Sequence, residues 1–376
     1  MAHAYTPGLK VSEKTLILKE RRLPLKGEVL VKKGEYVKAE DVVARTLLPG
    51  NVHPLNVAGL LGVSPQELPN LMLKKEGDDV KKDEIIALSK GFFGLFKTEV
   101  KSPVDGKIEQ ISTVTGQVII REPPIPVEVK AYFDGIVEDI IPEEGVIMRT
   151  TATFIQGIFG VGGEKIGKLK VLVDSPEEEL TIEKVKKIKD NLEGSIVVGG
   201  SFVTSEVLKI FEEMGVLGCV VGGIDDENLR KFLGFDIGVA ITGSEPLKVT
   251  LILTEGFGKL EMAKRTFLLL KKREGDKCSI NGATQIRAGV IRPEIIIPYE
   301  KIEEVKEEEK LKEGLAEGTL VRIIRDPYFG EIGKVIALPP ELRLIETEAK
   351  VRVLEVELKD GKRVVVPRAN VEILEV

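Results

Sequence analysis

The sequence predicts an α+β fold with several domains: a β-rich N-terminal part, a small α/β domain with a mostly parallel sheet, and a small C-terminal β-barrel. Three observations lead to this prediction. Residues 26–45 and 71–90 repeat one strand-and-turn pattern. Between about residues 168 and 298, apolar strands alternate with amphipathic helices. The chain then ends in short strands separated by glycine turns.

The N-terminal repeat has two levels. KGEVLVKKGEYVKAEDVVAR (26–45) is answered by LMLKKEGDDVKKDEIIALSK (71–90), and SPVDGKIEQISTVTGQVIIR (102–121) is answered by AYFDGIVEDIIPEEGVIMRT (131–150). The Asp-Gly pairs that open the second set suit tight turns before a strand. Neither half alone buries both faces of so short a sheet. We therefore expect strands from paired halves to pack together.

These segments resemble a known family. GDDVKKDEIIA, VKSPVDGKIEQI and TGQV are similar to biotinyl and lipoyl domains, and to the related segment in the C subunit of Rnf-type electron-transport complexes. The resemblance implies a barrel-sandwich fold. Carriers of this family bear a modified lysine on a hairpin tip at a set distance before a proline. Counted from Pro103, that place holds Leu95, and both Lys90 and Lys97 are out of register. A carrier role is therefore not expected, and no cofactor is predicted.

The hairpin tip instead reads GFFGLF (91–96). Exposed apolar side chains usually indicate a partner or a neighbouring domain, although this hairpin could also fold over its own core. Its candidate partner-binding residues are Phe92, Phe93, Leu95 and Phe96.

Glycine-rich turns follow several strands of the α/β region. Ligands of open α/β sheets bind at the carboxyl ends of strands, where bare N–H groups favour anions. Short turns also need glycine without any ligand, and neither a dinucleotide fingerprint nor a Walker lysine is present. The candidate ligand-binding residues are Gly199, Gly200, Ser201, Gly222, Gly223, Gly256 and Gly258.

The C-terminal segment VRIIRDPYFGEIGKV resembles the KOW motif of NusG-type transcription factors and some ribosomal proteins. The resemblance implies a barrel whose loops bind RNA, ribosome or polymerase. From Gly314 onward, ten basic and eleven acidic residues nearly cancel, so protein binding competes with phosphate binding. The candidate contact residues are Arg322, Arg325, Tyr328, Phe329 and Lys334.

Composition narrows the function further. A net charge of −6 argues against a protein devoted to nucleic acid. The wealth of Lys and Glu is typical of thermophiles. Cys219 and Cys278 lie outside metal-ligand spacing, so we expect free thiols in a reducing cytoplasm and no metal site. Two histidines leave no histidine-based triad, and no catalytic residue is predicted. No apolar run is long enough to span a membrane.

The predicted boundaries are a barrel-sandwich-like domain with the internal repeat (1–165), the α/β domain (166–299), a charged linker (300–315) and the KOW-like barrel (316–376). The leading hypothesis is a non-enzymatic scaffold that binds macromolecular partners, self-associates and is linked to transcription or translation. The alternative is a protein that binds a small ligand or phosphorylated metabolite at the glycine-rich strand ends. A third possibility, an electron-transport component, lacks iron–sulfur cysteines and a flavin fingerprint.

Overall fold

Strands dominate the computed structural model of this chain. They form 49% of it and helices 15%, which confirms a mostly-β α+β fold with a large mixed sheet. No described helix combines the length and apolar character that crossing a bilayer requires. The structure describes residues 9–90, 97–188, 191–234, 247–284, 291–301, 317–323, 328, 331–339, 342–344, 350–358 and 360–375.

The N-terminal part consists of strands and two short helices. In chain order these are β1 (Leu9–Arg22), β2 (Glu28–Val29), β3 (Tyr36–Val37), β4 (Val42–Leu48), β5 (Val52–Asn56), α1 (Val57–Leu61), α2 (Leu68–Leu71), β6 (Asp79–Val80), β7 (Ile85–Lys90), β8 (Lys97–Lys101), β9 (Gly106–Ile111), β10 (Gln117–Arg121), β11 (Ile125–Lys130), β12 (Gly135–Ile141) and β13 (Gly145–Gln156). Strands β2–β4 and β11–β13 make one unit, the outer copy. Residues 51–121, with β5–β10, make a second unit, the inner copy, inserted between β4 and β11.

The two copies share one hydrogen-bonding frame. Strand β3 pairs antiparallel with β12 as β6 does with β9, and β4 pairs with β11 as β7 does with β8. Even the bulge near the start of β4 recurs in β7. Three turn hydrogen bonds also match. The N–H of Gly34 donates to the Val137 carbonyl (2.8 Å) in the outer copy, as that of Gly77 donates to the Ile108 carbonyl (2.7 Å) in the inner copy. Likewise, Lys38 N–H donates to Asp41 (2.8 Å) as Lys81 N–H does to Glu84 (2.8 Å), and Ala39 N–H donates to Asp134 (2.7 Å) as Lys82 N–H does to Asp105 (2.6 Å).

The copies differ in what their hairpins carry. In the inner copy, β7 and β8 remain paired up to Lys90 and Lys97. In the outer copy, β4 and β11 remain paired up to Leu48 and Ile125, and the whole inner copy stands between those two residues. Each copy has a buried cluster of its own, around Tyr132 and Met148 in the outer and around Ile86 and Ile108 in the inner. The inner copy is thus inserted between the two strands of the outer copy's hairpin.

The middle part joins the outer copy through one continuous sheet. Its elements are β14 (Phe159–Val161), β15 (Glu164–Val171), β16 (Glu179–Leu180), α3 (Ile182–Lys187), β17 (Ser195–Val198), β18 (Phe202–Val203), α4 (Ser205–Glu213), β19 (Gly218–Ile224), α5 (Asp226–Leu233), β20 (Thr250–Phe257), α6 (Lys264–Lys272), β21 (Lys277–Asn281) and β22 (Glu294–Pro298). Strands β15, β17, β19 and β20 run parallel, with β21 and β14 antiparallel at the two ends of this set. Strand β22 then pairs with both β21 and β13.

Helices α4 and α5 cover this sheet because their sequences are capped and amphipathic. The Thr204 hydroxyl accepts from the N–H of Val207, and the Asp225 carboxylate accepts from that of Asn228. Their buried side chains, among them Val207, Phe211 and Leu229, join the strands in the largest hydrophobic cluster. The strand that the sequence predicts at residues 236–243 lies outside the described residues.

The C-terminal part is antiparallel. It contains β23 (Leu320–Ile323), β24 (Ile332–Ala337), β25 (Leu342–Leu344), β26 (Lys350–Leu358), β27 (Arg363–Pro367) and β28 (Val371–Glu375) around a small core of valines, leucines and isoleucine. Strand β28 also runs parallel to the start of β1, at Leu9 and Lys10. The two ends of the described chain therefore meet in one ladder.

Candidate functional site

The glycine-rich strand ends cluster in the middle part. Gly199, Gly200 and Ser201 follow β17, Gly222 and Gly223 lie near the end of β19, and Gly256 and Gly258 lie at the end of β20. Five of these seven N–H groups donate to main-chain carbonyls: Gly199 to Val220, Ser201 to Glu178, Gly222 to Gly200, Gly223 to Ser201 and Gly258 to Ile224, at 2.7 to 3.1 Å.

Close packing of main chains accounts for Gly200 and Gly222. A Cβ atom on Gly222 would lie 2.0 Å from the carbonyl oxygen of Leu260, and one on Gly200 would lie 2.3 Å from that of Glu178. A side chain at either position would force neighbouring segments apart. The arrangement thus serves packing between strands and loops. Ligand binding at these residues stays a prediction.

One glycine turn meets the C-terminal barrel. An oxygen of Glu255, next to Gly256, lies 2.7 Å from the Arg322 guanidinium, and the two side chains are only 11% and 9% exposed. The other Glu255 oxygen accepts from the N–H of Ala263, where α6 begins. The structure thus brings a residue predicted to contact partners against the turn predicted to hold a ligand. Arg322 is committed to an internal ion pair.

Of the remaining barrel candidates, the structure describes Lys334 and Tyr328, and Tyr328 is half-buried against the barrel's core. Lys334 is exposed on β24 and borders a groove of about 340 Å³ together with Leu320, Glu357 and Gly361. The Lys362 ammonium lies 4.9 Å from the ring centre of Tyr328, a cation–π contact. Arg325 and Phe329 lie outside the described residues, as do Phe92, Phe93, Leu95 and Phe96 of the hairpin.

Sequence reasoning missed a charged cleft around Tyr132. This residue is fully buried and has φ +79°, the left-handed region that bulky side chains avoid. The Lys19 ammonium and the Arg21 guanidinium lie 5.0 and 5.2 Å from its ring centre. Arg21 also donates a bidentate pair of hydrogen bonds to the Glu164 carboxylate, at 2.6 and 2.7 Å.

The cleft measures about 750 Å³ and is lined mostly by residues of β1, β11 and β15, together with Glu40 and Tyr132. Its lining carries both signs of charge: Glu20, Arg21, Arg22, Glu40, Glu128, Val129, Lys130, Tyr132, Glu164, Lys165 and Ile166. Lys19 is ion-paired with Glu294. Burial, reinforced by the Glu294 carboxylate, raises the pKa of the Tyr132 hydroxyl well above 10. One signal was available in the repeat, because Tyr132 stands where the other copy has Pro103.

The cysteines and His53 occupy enclosed or paired positions. Burial raises the pKa of the Cys219 thiol to about 12 and raises that of Cys278 further, so both stay protonated and poorly nucleophilic. His53 Nε2 lies 2.9 Å from a Glu122 oxygen. Among the residues that the structure describes, no group of three or more His, Cys, Asp and Glu side chains could hold a metal ion.

Comparison with models of protein families gave no match, and a search of curated proteins gave none either.

Proposed function

We propose that this chain is a non-enzymatic scaffold of the cytoplasm that binds macromolecular partners, associates with itself and serves transcription or translation. The observation that supports this most is the nested hairpin of the N-terminal part. The β4–β11 hairpin carries the inner copy, and the β7–β8 hairpin of that copy carries residues 91–96. The apolar segment thus connects the two strands of a hairpin whose own unit is inserted into another hairpin.

The inner copy suits a docking role better than a carrier role. It resembles biotinyl and lipoyl domains, whose hairpins present a group to other proteins. Its hairpin lacks the lysine and instead holds three phenylalanines and a leucine. Apolar side chains gain about 25 cal/mol for each Å² removed from water. We infer that burial against a protein partner supplies the binding energy at this segment.

The C-terminal barrel supplies the proposed link to transcription or translation. In a KOW-like barrel, Tyr328, Lys334 and Lys362 would form the contact face, since an aromatic ring and two cations suit stacking and phosphate binding. Arg322 would hold the barrel against Glu255 instead of touching a partner.

Quantitative affinity purification tests whether residues 91–96 bind a protein partner. The full chain is compared with a variant in which Phe92, Phe93 and Phe96 become serine, and with the control Val114→Ser, which changes another exposed apolar residue of the inner copy (82% exposed). We expect one defined set of proteins to be retained by the wild type and the control and to fall about tenfold with the triple variant. Equal recovery from all three chains would refute the docking role.

Ribosome and RNA co-sedimentation tests the barrel. Lys334→Glu and Tyr328→Ala should each weaken association, while Lys231→Glu, an equal charge change on α5 of the middle part, should not. Association that Lys231→Glu reduces as much as Lys334→Glu would reflect net charge alone and would remove the barrel from the proposal.

A further inference from the structure

Arg322 points out of its own barrel and is nevertheless covered. Its neighbours on β23, Val321 and Ile323, belong to the barrel's hydrophobic cluster. Because side chains alternate between the two faces of a strand, the Arg322 side chain lies on the outer face. It is only 9% exposed there, and a carboxylate oxygen of Glu255 in the middle part lies 2.7 Å from its guanidinium. The middle part therefore hides a charge that the barrel itself leaves outside.

The middle part itself holds the Glu255 carboxylate in place. One oxygen accepts the N–H of Ala263 at 2.9 Å, where α6 begins, and the other faces Arg322. A carboxylate that is hydrogen-bonded to the main chain has little freedom to turn away. The acceptor for Arg322 is thus positioned by a contact in which the barrel takes no part.

The barrel and the middle part have separate hydrophobic cores. Among the residues that the structure describes, their two hydrophobic clusters have no member in common. A buried ion pair adds little net stability, because the desolvation of both charges offsets most of their attraction. Contacts between parts of one chain that lack a large apolar interface permit relative movement. Docking of the barrel through Arg322 is therefore suited to reversal.

A second cation shares the outer face with Arg322. Strand β23 pairs antiparallel with β24, and Arg322 lies opposite Ile332. Lys334 comes two residues after Ile332 and so lies on the same face as Arg322, as a diagonal neighbour. Lys334 is exposed. Two cations on one face suit the phosphates of a nucleic-acid chain, and a guanidinium forms the same forked contact with phosphate as with carboxylate.

We propose that Glu255 takes the place of an RNA phosphate on Arg322, and that RNA bound to the barrel exchanges one acceptor for the other. In the docked barrel, Lys334 is open to a phosphate chain while Arg322 is withheld. RNA that contacts Lys334 then competes with Glu255 for the guanidinium, and the barrel leaves the middle part as the exchange occurs. The inference rests on the RNA contact within the proposed function.

Arginine labelling with phenylglyoxal, followed by peptide mass spectrometry of the full chain, tests the docking. Arg322 should react about tenfold faster in Glu255→Gln than in the wild type, because the substitution removes the charge that holds it. Arg363, whose side chain is 71% exposed on the same barrel, is the internal reference. Glu331→Gln, at an exposed barrel residue, is the control and should leave the Arg322 rate unchanged. Equal Arg322 rates in the wild type and in folded Glu255→Gln overturn the proposal.

Binding of a single-stranded uridine oligonucleotide tests the exchange. Glu255→Gln should bind it about fivefold more tightly, because the competing carboxylate is gone. The slope of log affinity against log salt should steepen by about 0.7, the value for one further phosphate contact. Adding Arg322→Gln should abolish both gains. Equal binding by the wild type and Glu255→Gln would overturn the exchange and leave the RNA contact standing, whereas no binding by either would refute the RNA contact and the exchange with it.

Discussion

The outer and inner copies share a frame but differ at the turn before their Asp-Gly pair. The inner copy has Pro103 there, which fixes φ at a negative value, while the outer copy has Tyr132 with φ +79°. Such a conformation costs about 1–3 kcal/mol. It persists because Lys19 and Arg21 of β1 contact the ring, and because the Tyr132 carbonyl accepts the Ser279 hydroxyl at 2.5 Å. One frame thus tolerates a strained turn where neighbouring strands hold it.

The largest effect should follow removal of the inner copy. Leu48 and Ile125 are cross-strand neighbours, so a short Gly-Ser turn can replace residues 49–124. We expect the remaining chain to fold, with a denaturant slope lower by about a fifth because less surface is exposed on unfolding. Far-UV circular dichroism shows whether the shortened chain is folded, and urea unfolding measures the denaturant slope. A chain that is unfolded without its inner copy would show that the copies are not independent.

The next largest effect should come from the differing turn. Tyr132→Ala removes a fully buried ring from the contacts with β1 and should lower the free energy of unfolding by about 3 kcal/mol. Pro103→Ala, at the matching place in the inner copy, should cost less than about 1 kcal/mol. Urea denaturation of both variants provides the comparison. Equal losses of unfolding free energy would mean that the two turns contribute equally to stability.

A smaller difference should separate the two turn aspartates. Asp134 accepts from Ala39 N–H and from Lys277, both at 2.7 Å, and its side chain is 25% exposed. Asp105 accepts from Lys82 N–H and is 58% exposed. We expect Asp134→Ala to cost about 2 kcal/mol and Asp105→Ala about half as much, because exposed groups regain water. Lys277→Met should remove most of the difference if the ion pair causes it.

The smallest effect should appear at alkaline pH. Because the folded pKa of Tyr132 is raised above the ordinary value of 10, the folded state keeps a proton that the unfolded state loses. Its contribution to stability is complete below pH 10 and declines as pH rises through the folded pKa. Tyr132→Phe should flatten this part of the pH–stability curve. An unchanged curve would assign the decline to other groups.

The sequence predicted the repeat because its signals are local. Asp-Gly turns and alternating apolar residues can be recognised within each segment. The nesting could not be predicted, since it depends on the pairing of β4 with β11 across the whole inner copy. The packing role of the strand-end glycines could not be predicted for a related reason. The contacts that require them, such as the carbonyl of Leu260 beside Gly222, come from distant parts of the chain.

The Arg322–Glu255 pair at the candidate site also depends on contacts between distant parts of the chain. The sequence predicts that Arg322 contacts a partner, but only the folded chain places it against a carboxylate in the middle part. Tyr132 was missed because backbone dihedrals are set by packing that no short window contains. Residues with a local cause were therefore predictable, and residues with a long-range cause were not.

The matched hairpins also have a consequence for engineering. The outer hairpin accepts a complete copy between Leu48 and Ile125, and the inner hairpin has the same ladder and the same bulge up to Lys90 and Lys97. The kind of hairpin that accepts the inner copy is therefore present again within the inner copy itself. A further copy grafted between Lys90 and Lys97 should therefore be accommodated by the same strand pairing that accommodates the inner copy.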